Sequence, residues 1–212
     1  MLAREGTVPS LVVGSAAVAA SFGLEPLWPA AVLWAFLIFV VWLYFERRPQ
    51  CPPLPNALVA PVNGTVTAVD QSWDPWSNRN CLRIRISVAS PFVWTIWAPT
   101  EGKIIDYWTK AAAFDGPPGR PEESESPNCY AILIRTDEEQ DARVCVSSTW
   151  PISRLKLDVG PGNRAGQGRR LGFAYFVAYV DLLVEAGGEA EVETGLKVSA
   201  GETVLAYFGP RG

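Results

Sequence analysis

Apolar positions are concentrated in two uncharged runs near the start of the chain. Residues 27–45 are mostly large and apolar, and the run ends abruptly at the charged residues 46–48. A run of about 20 apolar residues is long enough for a membrane-spanning helix. Residues 8–24 are also uncharged but richer in small side chains, which permit close helix contact in lipid. The pattern predicts a transmembrane helical hairpin turning at residues 23–26.

The first arm of this hairpin either crosses the membrane fully or only enters one leaflet. A cleaved signal peptide is the alternative for residues 8–24, although a second apolar run directly after it favours the hairpin. Arg4 precedes the first arm, Arg47 and Arg48 follow the second, and the connector carries only Glu25. The positive-inside rule then places both ends of the anchor, and the C-terminal domain, in the cytoplasm.

Beyond residue 50 the apolar period changes to two. Residues 82–88 alternate apolar and polar side chains, as a half-buried strand does, and residues 130–135 and 142–147 have similar strand-like patterns. Residues 137–141 are a polar run and predict the turn between the last two strands. Residues 115–128 are rich in proline, glycine and glutamate and predict a long loop.

A repeat adds to this pattern. Ala-Pro-Val-Asn-Gly-Thr-Val at 60–66 resembles Ala-Pro-Thr-Glu-Gly-Lys-Ile at 98–104, and the glycine-rich residues 159–168 resemble 192–202. Short strands punctuated by glycine turns predict a compact, mainly β sandwich or barrel, similar to the hybrid barrels of lipoyl and biotinyl domains. The lysine-bearing hairpin tip of those carriers is missing. We therefore expect a membrane anchor over 1–50 and a cytoplasmic β domain over 51–212.

Composition excludes several kinds of function. The net charge is −4, so the chain lacks the basic footprint of a nucleic-acid-binding protein. The chain contains no histidine, and its cysteines match no zinc-ligand spacing, so no metal site is expected. Reduced thiols are the expectation for all four cysteines, which are Cys51, Cys81, Cys129 and Cys145.

Tryptophan is abundant, with nine in 212 residues. Most of those outside the apolar runs are expected in the core. Trp73 and Trp76 lie in a Trp-Asp-Pro-Trp sequence that predicts an exposed turn. Because tryptophan is enriched at binding hot spots, these two residues are the candidates for a partner interface.

Several short segments, in this order and spacing, carry a resemblance to a known family. They are Ala-Arg-Glu-Gly at 3–6, the Arg-Pro exit from the second apolar run, the glycine turn at 60–64, Ser-Pro-Phe at 90–92 with Ala-Pro at 98–99, Val-Asp-Leu at 180–182, and Ala-Gly-Glu-Thr-Val-Leu at 200–205. Together they resemble the short, membrane-associated bacterial phosphatidylserine decarboxylases. The resemblance covers nearly the full length of the chain.

The resemblance implies chemistry for which this chain lacks the residues. In the family, a serine attacks the preceding carbonyl, is converted into a pyruvoyl group, and forms a Schiff base with the substrate. The family's Gly-Ser pair falls on Val177 and Ala178. Its aspartate falls on Asn63, and its histidine falls on Trp94 or Thr95, where the spacing is one residue shorter. A pyruvoyl cofactor cannot form at Ala178, so the chain is expected to be a pseudoenzyme without a cofactor.

Three functions follow from the resemblance. The leading hypothesis is a non-catalytic accessory or scaffold subunit of a bacterial inner-membrane complex, of the respiratory or photosynthetic kind, in contact with membrane lipids. The alternative is a pseudoenzyme that binds or regulates phospholipid. The least favoured is an active decarboxylase, which would need another electron sink.

Overall fold

The computed structural model describes residues 4–23, 28–45, 49–52, 54, 56–74, 79–88, 93–111, 128–148, 155–185 and 187–209. The chain divides into two compact units, Met1–Arg48 and Pro49–Gly212. We call them the helical unit and the β domain.

The helical unit contains a short 3-10 helix, Arg4–Gly6, followed by α1, Thr7–Gly23, and α2, Trp28–Leu43. The two α-helices approach closely because small residues lie between them. A Cβ atom on Gly14 of α1 would lie 3.7 Å from the Cδ2 atom of Leu37 in α2, and the indole of Trp34 donates a hydrogen bond of 3.2 Å to the Ser21 hydroxyl. The two arms of the predicted hairpin are therefore packed helices, and its predicted turn at 23–26 lies outside the described residues except for Gly23.

Its predicted span of the membrane is not supported. Among the described residues, none of the helices is at once long enough and apolar enough to cross a bilayer. Both described helices are short, since α1 has 17 residues and α2 has 16. At 1.5 Å per residue each helix measures roughly 25 Å, against about 30 Å of hydrocarbon.

The described part of the β domain contains fourteen strands. They are β1 Ala57–Val59, β2 Gly64–Asp74, β3 Arg79–Val88, β4 Val93–Trp97, β5 Gly102–Ala111, β6 Asn128–Arg135, β7 Asp141–Ser148, β8 Leu155–Leu157, β9 Arg164–Ala165, β10 Arg170–Tyr175, β11 Tyr179–Glu185, β12 Glu189–Ala190, β13 Lys197–Val198 and β14 Val204–Tyr207. The mainly β fold predicted from the alternating pattern is confirmed.

An eight-stranded sheet in the order β13-β2-β3-β11-β7-β6-β5-β9 forms most of the domain and curls into a half-barrel. Two three-stranded sheets, β1-β14-β12 and β4-β10-β8, complete it. The inner face of the large sheet carries the hydrophobic core, with Ile84 and Ile86 of β3 fully buried. Arg83 and Arg85 alternate with them along β3 and lie on the outer face.

The strand predictions for residues 82–88, 130–135 and 142–147 are confirmed, since these lie in β3, β6 and β7. The polar turn between the last two is also present, and its Thr136 and Gln140 backbones are hydrogen-bonded across it. The predicted loop at 115–128 lies outside the described residues, except that Asn128 begins β6.

The sequence repeat corresponds to a repeated structure. Ala60 exchanges two backbone hydrogen bonds with the turn at 201–203, and Ala98 exchanges two with the turn at 168–169. Each copy then leads into a long strand, β2 or β5, with a register shift near its start. Residues 57–66 and 95–104 are thus pseudo-equivalent.

The two copies also bind each other. The amide of Val59 donates to the carbonyl of Pro99 at 2.8 Å, and the amide of Trp97 donates to the carbonyl of Pro61 at 2.9 Å. This reciprocal pair is the pattern expected of an approximate two-fold relation. The chain ends of the domain meet as well, because Ala57 of β1 pairs with Tyr207 of β14.

Candidate functional site

The turn from β10 to β11 contains residues 176–178, where the resemblance places the processing site. Phe176 has a φ of 56°, in the left-handed region that costs a non-glycine residue roughly 1–2 kcal/mol. The hydroxyl of Ser148, a residue that is 1% exposed, donates a hydrogen bond to the carbonyl oxygen of Phe176. The strained backbone therefore lies one residue before Val177.

Ala178 is held from two sides. Its amide donates to the carbonyl of Ser147 in β7 at 2.9 Å, and its own carbonyl accepts from the amide of Val88 in β3 at 3.2 Å. Val177 before it is buried, at 1% exposure. The backbone at the predicted processing position is therefore fixed by both neighbouring strands, while the side chain of Ala178 offers only a methyl group.

Asn63 and Thr95 lie on segments linked to this turn through the sheets. Asn63 is exposed, and its Oδ1 accepts a hydrogen bond of 2.8 Å from the amide of Ala200. The next residue, Gly64, pairs with Val88, which in turn binds Ala178. Thr95 is buried in β4, next to the strand β10 that leads into the turn.

These predicted positions do not supply acid–base chemistry. An amide, a threonine hydroxyl and a methyl group do not exchange protons near neutral pH as a general base must. The amide oxygen of Asn63 is already used as an acceptor for a backbone amide. What the arrangement provides is a rigid turn without a nucleophile.

Asp181 of the Val-Asp-Leu segment has a structural partner that the sequence analysis missed. Its carboxylate, only 1% exposed, accepts two hydrogen bonds from the Arg85 guanidinium at 2.8 and 3.1 Å. The same guanidinium lies 4.4 Å from the ring centroid of Tyr179. Burial raises the pKa of Asp181, and the Arg85 charge opposes that shift. This cluster fixes the start of β11, immediately after Ala178.

More ion pairs cover the outer face of the large sheet. Arg143 and Asp74 form a nearly buried pair, and Arg83 binds Asp70 at 2.6 Å. A small cavity lies among these charges, lined by Asp74, Arg79, Cys81, Leu133, Asp141, Arg143, Leu183, Val184 and Glu185. Over the part of the chain that the structure describes, no group of three acidic, cysteine or histidine residues is placed to hold a metal ion.

Two of the described cysteines, Cys81 and Cys145, are buried. Cys81, Cys145 and Cys51 are free thiols. Burial, aided by the negative charge of Asp74, raises the pKa of Cys81 to about 12. Trp73 is half-buried near the end of β2, and Trp76 lies outside the described residues, so the proposed interface at these two residues stays a prediction.

Comparison with known proteins gives relatives that cover nearly the whole chain. The chain is 32% identical over 211 residues to the phosphatidylserine decarboxylase proenzyme of Nitrosomonas europaea, and 31% identical over 210 residues to that of Nitrosomonas eutropha. Both alignments cover 98% of this chain and 95% of the relative. The proenzyme of Burkholderia vietnamiensis is 29% identical over 213 residues, covering 97% of this chain and 95% of that protein. No family model and no solved structure matches.

Proposed function

Because the chain belongs to the phosphatidylserine decarboxylase family, we propose that it is a member that has kept the fold and lost the self-processing reaction. The observation that carries this proposal is Ala178. Self-processing needs a side-chain oxygen that attacks the preceding carbonyl and then leaves, so that the residue becomes a pyruvoyl group. A methyl group can take neither step.

The lack of proton-transfer groups supports the same proposal. The 212 residues contain no histidine, and Asn63 stands where the resemblance expects an aspartate. Ser147 and Ser148 are close to the turn, but the Ser148 hydroxyl is donated to the Phe176 carbonyl. Restoring the reaction would therefore require more than one substitution.

We propose an accessory or scaffold role in a bacterial inner-membrane complex as the function of the retained fold. The helical unit supports membrane association, because large apolar side chains are exposed on both helices. They are Val8, Leu11, Val12, Val18, Phe22, Trp28, Val32, Trp34, Phe36, Ile38, Phe39, Val41, Trp42 and, just past α2, Phe45. A patch of this extent marks a surface for lipid or an apolar partner. The distribution of arginines in the sequence supports a cytoplasmic position for the β domain.

Binding or regulation of phospholipid without turnover is the second candidate. Its support is that the turn at 176–178 is still held by β3, β7 and Ser148 although the nucleophile is missing. A respiratory or photosynthetic complex is the partner class for the first candidate, with Trp73 and Trp76 as the residues we expect at the interface.

The test is native mass spectrometry of the protein extracted from its own membrane in mild detergent. An intact 212-residue chain in a larger complex supports the subunit role, and an intact chain with phospholipid alone supports the second candidate. A chain cut between Val177 and Ala178 would contradict the proposal and indicate an active decarboxylase. Release of CO2 from phosphatidylserine, with the Nitrosomonas europaea proenzyme as positive control, checks the same point independently.

A further inference from the structure

Residues 49–51, at the start of the β domain, lie against two turns that the repeat makes pseudo-equivalent. The Cys51 thiol donates a hydrogen bond to the carbonyl of Gly201 at 3.0 Å. Pro49 and Cys51 are both half-buried. We call residues 49–51 the strap.

The strap can pack closely against both turns because each turn has a glycine at the point of contact. A Cβ atom on Gly201 would lie 2.4 Å from the Cβ of Pro49, and one on Gly168 would lie 2.5 Å from the Cys51 sulfur. Such separations are far inside van der Waals contact, so a side chain at Gly201 would displace Pro49, and one at Gly168 would force the Cys51 sulfur out of its position. The same built atom on Gly201 would lie 3.8 Å from the Cα of Gly168, so the two turns are neighbours.

We propose that the strap is a latch that can leave its seat on the two glycine turns while the rest of the β domain stays folded. The contacts that hold it involve the Pro49 ring and the Cys51 thiol, both at the very start of the domain.

The close contacts around Cys51 also make the position of the strap sensitive to the size of this side chain. The sulfur lies between the two glycine turns, where not even a methyl group on Gly168 fits. A group attached to this thiol would therefore expel the strap. Burial, with the Glu202 charge, raises the pKa of Cys51, which agrees with a protonated thiol donating to a carbonyl.

Peptide-resolved labelling of Cys51 by N-ethylmaleimide in the full-length protein tests the latch. We expect Gly201→Ala and Gly168→Ala each to increase the labelling rate by about tenfold through local opening. Gly195→Ala is the matched control, because Gly195 also has a positive φ, of 95°, but a Cβ atom there meets nothing within 4 Å. It should stay within about twofold of the parent protein, since it adds backbone strain without touching the strap.

Two further measurements distinguish local release of the strap from unfolding of the whole β domain. Buried Cys81 reports global unfolding and should label slowly in every variant. Pro49→Gly removes the strap's contact with Gly201 without straining either turn, so it too should accelerate Cys51 labelling while Cys81 stays protected. Equal Cys51 rates in the parent, Gly201→Ala, Gly168→Ala and Pro49→Gly proteins would overturn the proposal. The result does not depend on the function proposed above.

Discussion

The Ser148 hydroxyl donates a hydrogen bond to the carbonyl of Phe176, the residue whose left-handed backbone shapes the turn before Ala178. A buried side chain of one strand thus supports a strained residue 28 positions later. Strain at such a turn persists only where its surroundings enforce it. In this chain the surroundings are the Ser148 hydroxyl and the two strands that bind Ala178.

Ser148→Ala should destabilise the β domain by about 0.5–1.5 kcal/mol, because the part-buried carbonyl of Phe176 would lose the hydrogen bond from the buried Ser148 hydroxyl. Urea unfolding monitored by tryptophan fluorescence measures this. Ser87→Ala is the control: Ser87 is exposed on β3, and its loss should change the free energy of unfolding by less than about 0.5 kcal/mol. Equal effects of the two substitutions would show that the Ser148 hydrogen bond does not support the turn.

Arg85→Met should strongly lower the free energy of unfolding of the β domain, although the two side chains are similar in shape. It would leave the Asp181 carboxylate, 1% exposed, without its partner, at a cost of about 3–5 kcal/mol. Thermal unfolding checks the change, and Arg164→Met should have no measurable effect because its ion pairs are exposed. The double variant Arg85→Met with Asp181→Leu should recover part of the loss. A double variant as unstable as the single one would contradict a role for the buried charge.

Titration of Cys81 should lower the free energy of unfolding of the protein as the solution becomes alkaline. Burial raises the pKa of the Cys81 thiol to about 12 in the folded state, from an ordinary value of 9.0. Because the unfolded chain loses this proton first, the stabilisation is complete below pH 9 and falls by about 1.4 kcal/mol per unit between pH 9 and 12.

Comparison with Cys81→Ala isolates this titration from that of lysine and tyrosine. The variant should be less stable at pH 7, since it leaves a cavity, but its disadvantage should shrink steadily between pH 9 and 10.5. Chemical denaturation at each pH gives the two free energies of unfolding. A constant difference across this range would show that the thiol does not titrate as stated.

Ala178→Ser alone should leave the chain intact. The new hydroxyl would lie on a well-held backbone, but the chain has no histidine to accept its proton. Intact-mass measurement after prolonged incubation shows whether the Ala178→Ser chain has been cut. Ala178→Val is the control, because it adds bulk but no hydroxyl. Appearance of a fragment starting at residue 178 in the serine variant alone would show that the scaffold can process itself without histidine.

The strands and the repeat could be predicted because their signals are local. The alternation at 82–88 and the paired glycine turns are visible within a few residues of sequence. The partners of Asp181 and Phe176 could not be predicted from local sequence. Arg85 is 96 positions from Asp181, and Ser148 is 28 positions from Phe176. One local pattern also misled: the uncharged runs suggested a span of the membrane, whereas none of the helices among the described residues is long and apolar enough to make one.

The pairing of Ala57 with Tyr207 sets the order of events when the protein is made. The first strand of the β domain needs β14 as its neighbour, so the β1-β14-β12 sheet cannot close until residues 204–207 have left the ribosome. The helical unit, by contrast, lies within the first 48 residues and is synthesised first. Non-local strand pairing is slow relative to helix formation. The β domain must therefore complete its folding while already attached to a finished, apolar helical unit, which exposes its unpaired strands to aggregation during that interval.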